Sequence, residues 1–255
     1  MGNLGSRECS NQNRMGKGPY RKSSWLLKGL LGSLCSLAVV VSLGSAVGGD
    51  TTYNPPNGTW NGYTIYLSVA CHDGNDGIPG GPCIPNTGCT GNSSHALNEN
   101  TQSRLTAGTT IFGAGTGSNL KQRGYRSIRG NGTVSQNIAN SNAAGVDLHI
   151  PIHSNAQNSN CTSSASANGT WALYFSSTGE DCSDELVARV GANSPGTNDK
   201  TVFRNNLGEL TNTNAVACYL EAEFHTWNNG VNWLRNEVNW TWRIGWAVDR
   251  HLGYP

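Results

Sequence analysis

Three apolar runs of strand length constrain the fold of this chain more than any other feature. They cover residues 64–71, 146–153 and 215–221. Continuous apolar runs of this length are typical of strands that are buried on both faces of a parallel sheet. Helix candidates stand between and after these runs, at residues 99–120, 137–145, 183–190 and 228–249. Strands that alternate with helices predict an α/β domain with a twisted, mostly parallel sheet, flanked by helices on both faces.

The N-terminal segment has the three parts of a secretory signal peptide. Six Lys and Arg against a single acid occupy residues 1–28, an apolar stretch follows over residues 30–43, and small residues precede a cleavage site predicted after Ala46. The apolar stretch is short for a membrane span, although a retained anchor is the alternative. We therefore predict that residues 1–46 are removed and that the mature protein is secreted. Residues 47–62 are rich in Gly, Pro and Asn without periodicity, and we predict a flexible lead-in there.

Removal of the signal peptide leaves a mildly acidic domain. The chain has 17 Lys and Arg and 16 Asp and Glu, of which six and one lie in residues 1–46, so 11 and 15 remain and the net charge becomes −4. An acidic surface does not attract polyanions, and we therefore expect no nucleic acid partner. We also expect a monomer with no stable membrane insertion after signal cleavage.

Six cysteines remain after residue 46, and an even number in an exported chain indicates disulfide bonds. They are Cys71, Cys83, Cys89, Cys161, Cys182 and Cys218. The absence of a Cys-x-x-Cys pair disfavours a zinc–thiolate site. Sequence alone does not choose among the possible pairings. We predict Cys83 with Cys89 and Cys161 with Cys182, which leaves Cys71 for Cys218.

Each apolar run ends at a residue that can bind a metal or transfer a proton. His72 follows the first run, His153 ends the second, and Glu221 ends the third. Ligands of open α/β sheets bind beyond the carboxyl ends of the strands, so these side chains would converge if the strands are parallel neighbours. Two histidines and a carboxylate around an open position are typical of catalytic zinc, with a further carboxylate as the base.

Four segments, in this order, resemble the zinc-dependent N-acetylmuramoyl-L-alanine amidases of the amidase 3 type. They are His72-Asp73-Gly74, Asn98-Glu99-Asn100, Asp147-Leu148-His149-Ile150-Pro151-Ile152-His153-Ser154-Asn155-Ala156 and Leu220-Glu221-Ala222-Glu223-Phe224. The resemblance covers nearly all of the mature chain. It implies a catalytic domain over residues 63–255, with about six strands in its sheet.

The resemblance also implies an activity and roles for individual residues. His72, Glu99 and His153 would be the Zn²⁺ ligands, and Glu221 would be the catalytic glutamate. The substrate would be peptidoglycan, cut at the amide between N-acetylmuramic acid and the L-alanine of the stem peptide. We add Asn155 and His225 as candidate substrate contacts.

Several alternatives remain open at the level of sequence. His149 competes with His153 as a ligand because residues four apart on a strand face the same side, although packing or an orienting hydrogen bond is the favoured role. Glu223 alternates with Glu221 and so competes as the base. At the first ligand, Ser68-Val69-Ala70-Cys71-His72 stands where the family has Asp-Pro-Gly-His-Gly.

Three other functions therefore compete with the amidase. One is another zinc peptidoglycan peptidase of the carboxypeptidase type, which would release D-alanine. The second is a non-catalytic domain that binds cell-wall glycan. The third is an amidase-like fold that has lost its metal.

Overall fold

Seven strands of the described chain form one mixed sheet. A computed structural model describes residues 49–70, 97, 99–113, 119–157 and 166–254. The strands are β1 (Thr51–Tyr53), β2 (Thr64–Val69), β3 (Arg126–Gly130), β4 (Leu148–Asn155), β5 (Trp171–Tyr174), β6 (Lys200–Phe203) and β7 (Val216–Phe224). Their order across the sheet is β1-β3-β2-β4-β7-β5-β6. The helices are α1 (Glu99–Phe112), α2 (Val134–Ala144), α3 (Ser177–Val190), α4 (Gly208–Thr211), α5 (Asn228–Leu234) and α6 (Trp242–Leu252).

The strand pairing confirms the predicted α/β class and the mostly parallel sheet. Strands β3, β2, β4 and β7 are parallel neighbours, and β5 pairs in parallel with β6. Among the strand pairs of the described residues, only β1–β3 and β7–β5 are antiparallel. The described sheet has one strand more than the expected six. Strand β1 lies inside residues 47–62, where we predicted a flexible lead-in, and β6 was not predicted.

The two faces of the sheet differ in chemical character. Successive side chains of a strand point to opposite faces, so Ile65, Leu67 and Val69 of β2 lie on one face and join the main apolar core with α1, α3, α5 and α6. Tyr66 and Ser68 point to the other face, where α2 and α4 lie. This second face contains the buried polar side chains from which the candidate site is built.

Local signals set one end of α2 and one end of α1. Thr133 caps α2 in a capping box with Gln136, in which each side chain accepts a hydrogen bond from the other residue's backbone N–H. Helix α1 begins at Glu99, as predicted, but ends at Phe112 instead of residue 120. Gly113 follows with a φ of 68°, the left-handed conformation that terminates helices.

A disulfide joins α3 to the centre of the sheet. Cys182 and Cys218 are bonded, with their Cα atoms 5.8 Å apart, which is normal for a disulfide. The predicted pairings of Cys161 with Cys182 and of Cys71 with Cys218 are therefore wrong. The cause is the start of α3, which we placed at residue 183 but which lies at Ser177, so that Cys182 is inside the helix and faces β7. The predicted pair Cys83–Cys89 lies outside the described residues, as does the predicted cleavage after Ala46.

None of the helices in the described part of the chain is long and apolar enough to span a membrane.

We predict that loss of this disulfide destabilises the domain. The bond closes a loop with a sequence separation of 36 residues, and loop-closure entropy for this length corresponds to about 3–4 kcal/mol. The double variant Cys182→Ala, Cys218→Ala should lose unfolding free energy of that order in urea titration. Mass mapping of non-reduced peptides should recover a fragment that joins the segments around residues 182 and 218. A fragment that joins Cys161 to Cys182 instead would contradict the pairing.

Candidate metal and catalytic site

The pairing of β4 with β7 places His153 directly beside Glu221. These residues are opposite each other in a parallel ladder, in which neighbouring strands lie about 4.8 Å apart. Tyr219, two residues before Glu221, stacks on the His153 ring with centroids 4.5 Å apart and an angle of 23° between the ring planes. The stacking fixes the plane of the imidazole, so its two nitrogens have defined directions.

Glu99, the first residue of α1, meets His153 at the carboxyl edge of the sheet. Its Oε1 lies 3.0 Å from Nδ1 of His153 and accepts the backbone N–H of Ser154 at 3.0 Å. One turn later, the hydroxyl of Ser103 accepts the N–H of Ala70 and donates to the carbonyl of Ile152. Helix α1 is thus attached to the ends of both β2 and β4, which holds Glu99 against His153.

Glu209 is a buried carboxylate of this site that the sequence analysis missed. It lies on the four-residue helix α4 and is 3% exposed. Its Oε1 accepts the hydroxyl of Ser68 and lies 3.3 Å from Nε2 of His149, and its Oε2 lies 4.0 Å from Nε2 of His153. The segment around it is polar and rich in Asn and Thr, and no sequence signal distinguished it from a surface loop.

His149 lies deeper in the same face than His153. Its Nδ1 lies 2.9 Å from the hydroxyl of Ser141 and its Nε2 contacts Glu209. The ring also stacks on Tyr66, with centroids 5.2 Å apart. With both ring nitrogens engaged in hydrogen bonds, His149 has the packed, orienting position that we favoured over a role as metal ligand.

The charges of the site favour a cation. Burial lowers the pKa of His153, but the hydrogen bond and charge of Glu99 and the charges of Glu221 and Glu209 outweigh burial, so this pKa lies above its usual value. Burial likewise raises the pKa of Glu209, but the hydrogen bond and charge of His149 and the charge of His153 bring it below the usual value. Three carboxylates therefore surround one imidazole, and this excess of negative charge suits a divalent metal ion.

The donor set fits zinc as far as the described residues extend. Zinc binds His nitrogen and Glu oxygen at about 2.0–2.2 Å in a tetrahedron, which separates two donors by about 3.3 Å. The 3.0 Å distance between Glu99 Oε1 and His153 Nδ1 is close to that value. Within the described residues no group of three potential ligands is near enough to hold a metal. His72, the third predicted ligand, lies outside them.

A β-bulge in β7 sets the surroundings of Glu221. His153 pairs with Glu221 while Asn155 pairs with Phe224, so two steps on β4 match three on β7. Trp171 of β5 is paired with Glu221 from the other side, and its ring meets that of Phe224 with centroids 5.3 Å apart. The catalytic candidate thus has His153 on one side and an aromatic pair on the other.

The same bulge directs the side chain of Glu223 away from Glu221, and Glu223 binds backbone N–H groups instead. Its Oε1 accepts the N–H of Gly169 at 2.6 Å and that of Phe224 at 2.9 Å. Glu223 was a candidate base because residues two apart on a regular strand face the same side. The extra residue of the bulge breaks this alternation between Glu221 and Glu223. The carboxylate of Glu223 fixes the backbone that leads into β5, which favours Glu221 as the base.

Asn155 and His225, the two candidate substrate contacts, lie at the same edge of the sheet. The N–H of His225 donates to the carbonyl of Asn155 at 2.8 Å. The His225 ring is buried, with Nδ1 2.8 Å from the hydroxyl of Ser154. Asn155 is half-buried, and its Oδ1 accepts the N–H of Ala156. Asn155 lies two residues after His153, and His225 contacts Ser154 and Asn155; the contact of either residue with substrate stays a prediction.

The fold is shared with solved structures of N-acetylmuramoyl-L-alanine amidases and of an endolysin catalytic domain. No protein-family model and no curated protein matches the sequence. The catalytic domain of CwlV, an N-acetylmuramoyl-L-alanine amidase from Bacillus (Paenibacillus) polymyxa var. colistinus, matches with a TM-score of 0.59 and 14% identity over 76% of this chain and 99% of that one. The amidase Ami1 from Mycobacterium smegmatis matches with a TM-score of 0.55 and 13% identity over 75% of this chain and 97% of that one.

A third match is the catalytic domain of the CD27L endolysin, which targets Clostridia difficile. Its TM-score is 0.56, with 17% identity over 75% of this chain and 98% of that one. At these identities the likeness establishes the fold, and the activity must be argued from the site.

The buried carboxylate of Glu223 predicts a pH dependence of stability. Burial raises its pKa above the usual value, even though the N–H groups of Phe224 and Gly169 oppose the shift. The folded protein therefore prefers the protonated acid, and stability falls as pH rises from the unfolded-state pKa of about 4.3 through the higher folded-state pKa. Glu223→Gln keeps the acceptor oxygen without the charge.

Thermal unfolding of the wild type and of Glu223→Gln between about pH 4 and pH 8 tests the raised pKa of Glu223. The melting temperature of the wild type should fall relative to that of Glu223→Gln as pH rises. Parallel curves for the two proteins would contradict the raised pKa.

Proposed function

We propose that this protein is a secreted, zinc-dependent peptidoglycan hydrolase that cleaves the amide between N-acetylmuramic acid and the L-alanine of the stem peptide. The observation that carries the proposal is the position of Glu221 in register with His153, whose Nδ1 lies 3.0 Å from Glu99 at the carboxyl edge of the sheet. This edge is where ligands of α/β sheets bind. The fold that presents it is the fold of solved amidases.

His72, Glu99 and His153 are the proposed zinc ligands. A bound Zn²⁺ would lower the pKa of a water molecule and polarise the carbonyl of the substrate. The chain prepares the site for this ion in two ways. Helix α1 is attached to the strand ends through Ser103, which places Glu99, and the stacking on Tyr219 fixes the plane of the His153 ring.

Glu221 is the proposed general base and general acid. It would accept a proton from the attacking water and deliver it to the amide nitrogen of L-alanine as that group leaves. The residue as a whole is half-buried beside Trp171, so part of it is accessible from the edge of the sheet. Glu223, which is fully buried, has no such access.

The neighbourhood of β5 suits an extended, acidic glycopeptide. Trp171 and Lys200 are paired in register, and the Lys200 ammonium lies 3.8 Å from the centroid of the Trp171 ring. An aromatic face next to Glu221 can support a sugar or an apolar part of the peptide, and a cation beside it attracts carboxylates. We propose that Asn155 and His225 complete the substrate contacts.

Secretion is supported by two independent features. The N-terminal 46 residues have the pattern of a signal peptide, and the Cys182–Cys218 disulfide suits an oxidising compartment. CwlV and Ami1 are amidases by name, and this chain covers almost the full length of both structures. The cell wall is therefore the proposed place of action.

Zinc content is the first test of the proposal. The purified mature domain should contain one zinc per chain, and His153→Ala should lose it because a ligand is removed. Glu221→Gln should keep it, since Glu221 is the base rather than a ligand. Elemental analysis after handling without chelators measures all three, and a wild type without zinc would contradict the metal site.

Activity on purified peptidoglycan tests the roles of the two glutamates. Glu221→Gln should lose about 100-fold or more of the rate, because the base is removed. Glu223→Gln is the matched control on the same strand and should keep its rate. Mass spectrometry of the products should show stem peptides with a new N-terminal L-alanine, whereas release of D-alanine would indicate a carboxypeptidase.

A further inference from the structure

A single carboxylate, that of Glu209, faces both buried histidines of the sheet. Its Oε1 lies 3.3 Å from Nε2 of His149, and its Oε2 lies 4.0 Å from Nε2 of His153. The residue is 3% exposed. A carboxylate buried to this extent is costly unless its oxygens are matched by donors or cations.

Helix α4 is too short to be held in position by its own backbone hydrogen bonds. It spans four residues, Gly208–Thr211. Leu210 packs into a small apolar cluster with Leu173, Ala217 and Tyr219. This packing presses the helix against β7, so that the adjacent side chain of Glu209 enters the polar layer between α4 and β4.

Ser68 and His149 then hold the carboxylate in place. The hydroxyl of Ser68 donates to Oε1, and the amide of Asn137 donates to that hydroxyl at 2.8 Å. Nε2 of His149 lies 3.3 Å from the same Oε1. Both contacts fix Oε1, and the other oxygen, Oε2, is the one directed at His153.

His153 needs a partner at that position if it is to bind a metal. Its Nδ1 faces Glu99 at 3.0 Å, and its ring plane is fixed by Tyr219. A histidine that binds a metal through one nitrogen almost always donates the N–H of the other nitrogen to a carboxylate, carbonyl or water, which fixes the tautomer and the ring orientation. Here that other nitrogen is Nε2, which lies 4.0 Å from Oε2 of Glu209.

We propose that Glu209 is a positioning residue of the metal site, which accepts the Nε2–H of His153 and so presents the lone pair of Nδ1 to the metal beside Glu99. Closing the 4.0 Å separation to a hydrogen bond takes a shift of about 1 Å. His149 and Ser68 act one step further out by holding Glu209. The inference rests on the proposed metal site. It adds Glu209, which lies outside the four segments that resemble the amidase family.

A merely structural role makes a different prediction. If Glu209 served only to satisfy His149 and Ser68, its replacement would lower stability without changing the affinity of the folded protein for zinc. Ser141→Ala is the matched control, since it removes a hydrogen bond of the same buried network at the far side of His149 and does not touch Glu209.

Zinc affinity separates the two roles without reference to activity. Wild type, Glu209→Gln and Ser141→Ala are freed of metal, confirmed as folded by circular dichroism, and titrated with zinc against a competing chelator. Glu209→Gln should bind zinc about 10–100-fold more weakly, the usual effect of losing such a partner. Ser141→Ala should match the wild type. Equal affinities of all three proteins would overturn the inference.

If Glu209→Gln does not fold, the tautomer of His153 in the wild-type protein provides a second test. Nitrogen chemical shifts of the ring, assigned by comparison with His153→Ala, should show the Nε2–H tautomer in the zinc-loaded protein. The Nδ1–H tautomer would overturn the inference. If the wild type binds no zinc, the proposed function fails as well. If it binds zinc through His153 and Glu209→Gln is unaffected, this inference alone fails.

Discussion

The register of β4 against β7 is the constraint on which the candidate site depends. It sets His153 beside Glu221, and Glu99 and Tyr219 both contact His153. Glu99 reaches His153 because α1 is attached to the ends of β2 and β4. A slip of one residue would turn each side chain of β7 to the opposite face of the sheet. The register is protected by the apolar face, since Leu220 and Ala222 would then leave the main core.

The division of the sheet into an apolar and a polar face explains how a chain of this size can bury so many polar groups. The main core, built on one face with α1, α3 and α6, supplies most of the apolar burial. The other face can then hold Tyr66, Ser68, His149 and Glu209 in a connected set of hydrogen bonds and ring contacts. Buried polar groups of this kind stabilise one arrangement only while each remains paired.

The parts of the structure that follow from local pattern could be predicted, and those that depend on packing could not. The runs that became β2, β4 and β7 carried a strong signal, and their parallel order followed from the helices between them. The strand ends therefore indicated His153 and Glu221 correctly as neighbours. Glu209 gave no signal, because α4 is four residues long and is held by packing. The bulge in β7 was also invisible, since one extra residue leaves no mark in an apolar run, and it reversed the expected orientation of Glu223.

The bond between Cys182 and Cys218 has a consequence for the motions of the domain. Both residues are almost completely buried, at 2% and 0% exposure, between α3 and β7. A thiol reagent reaches these sulfurs only when the helix lifts from the sheet, so the reduction rate reports how often the interior opens. Cys218 lies three residues before Glu221 on the same strand. The cross-link therefore ties the strand that holds the proposed base to a helix on the far side of the sheet.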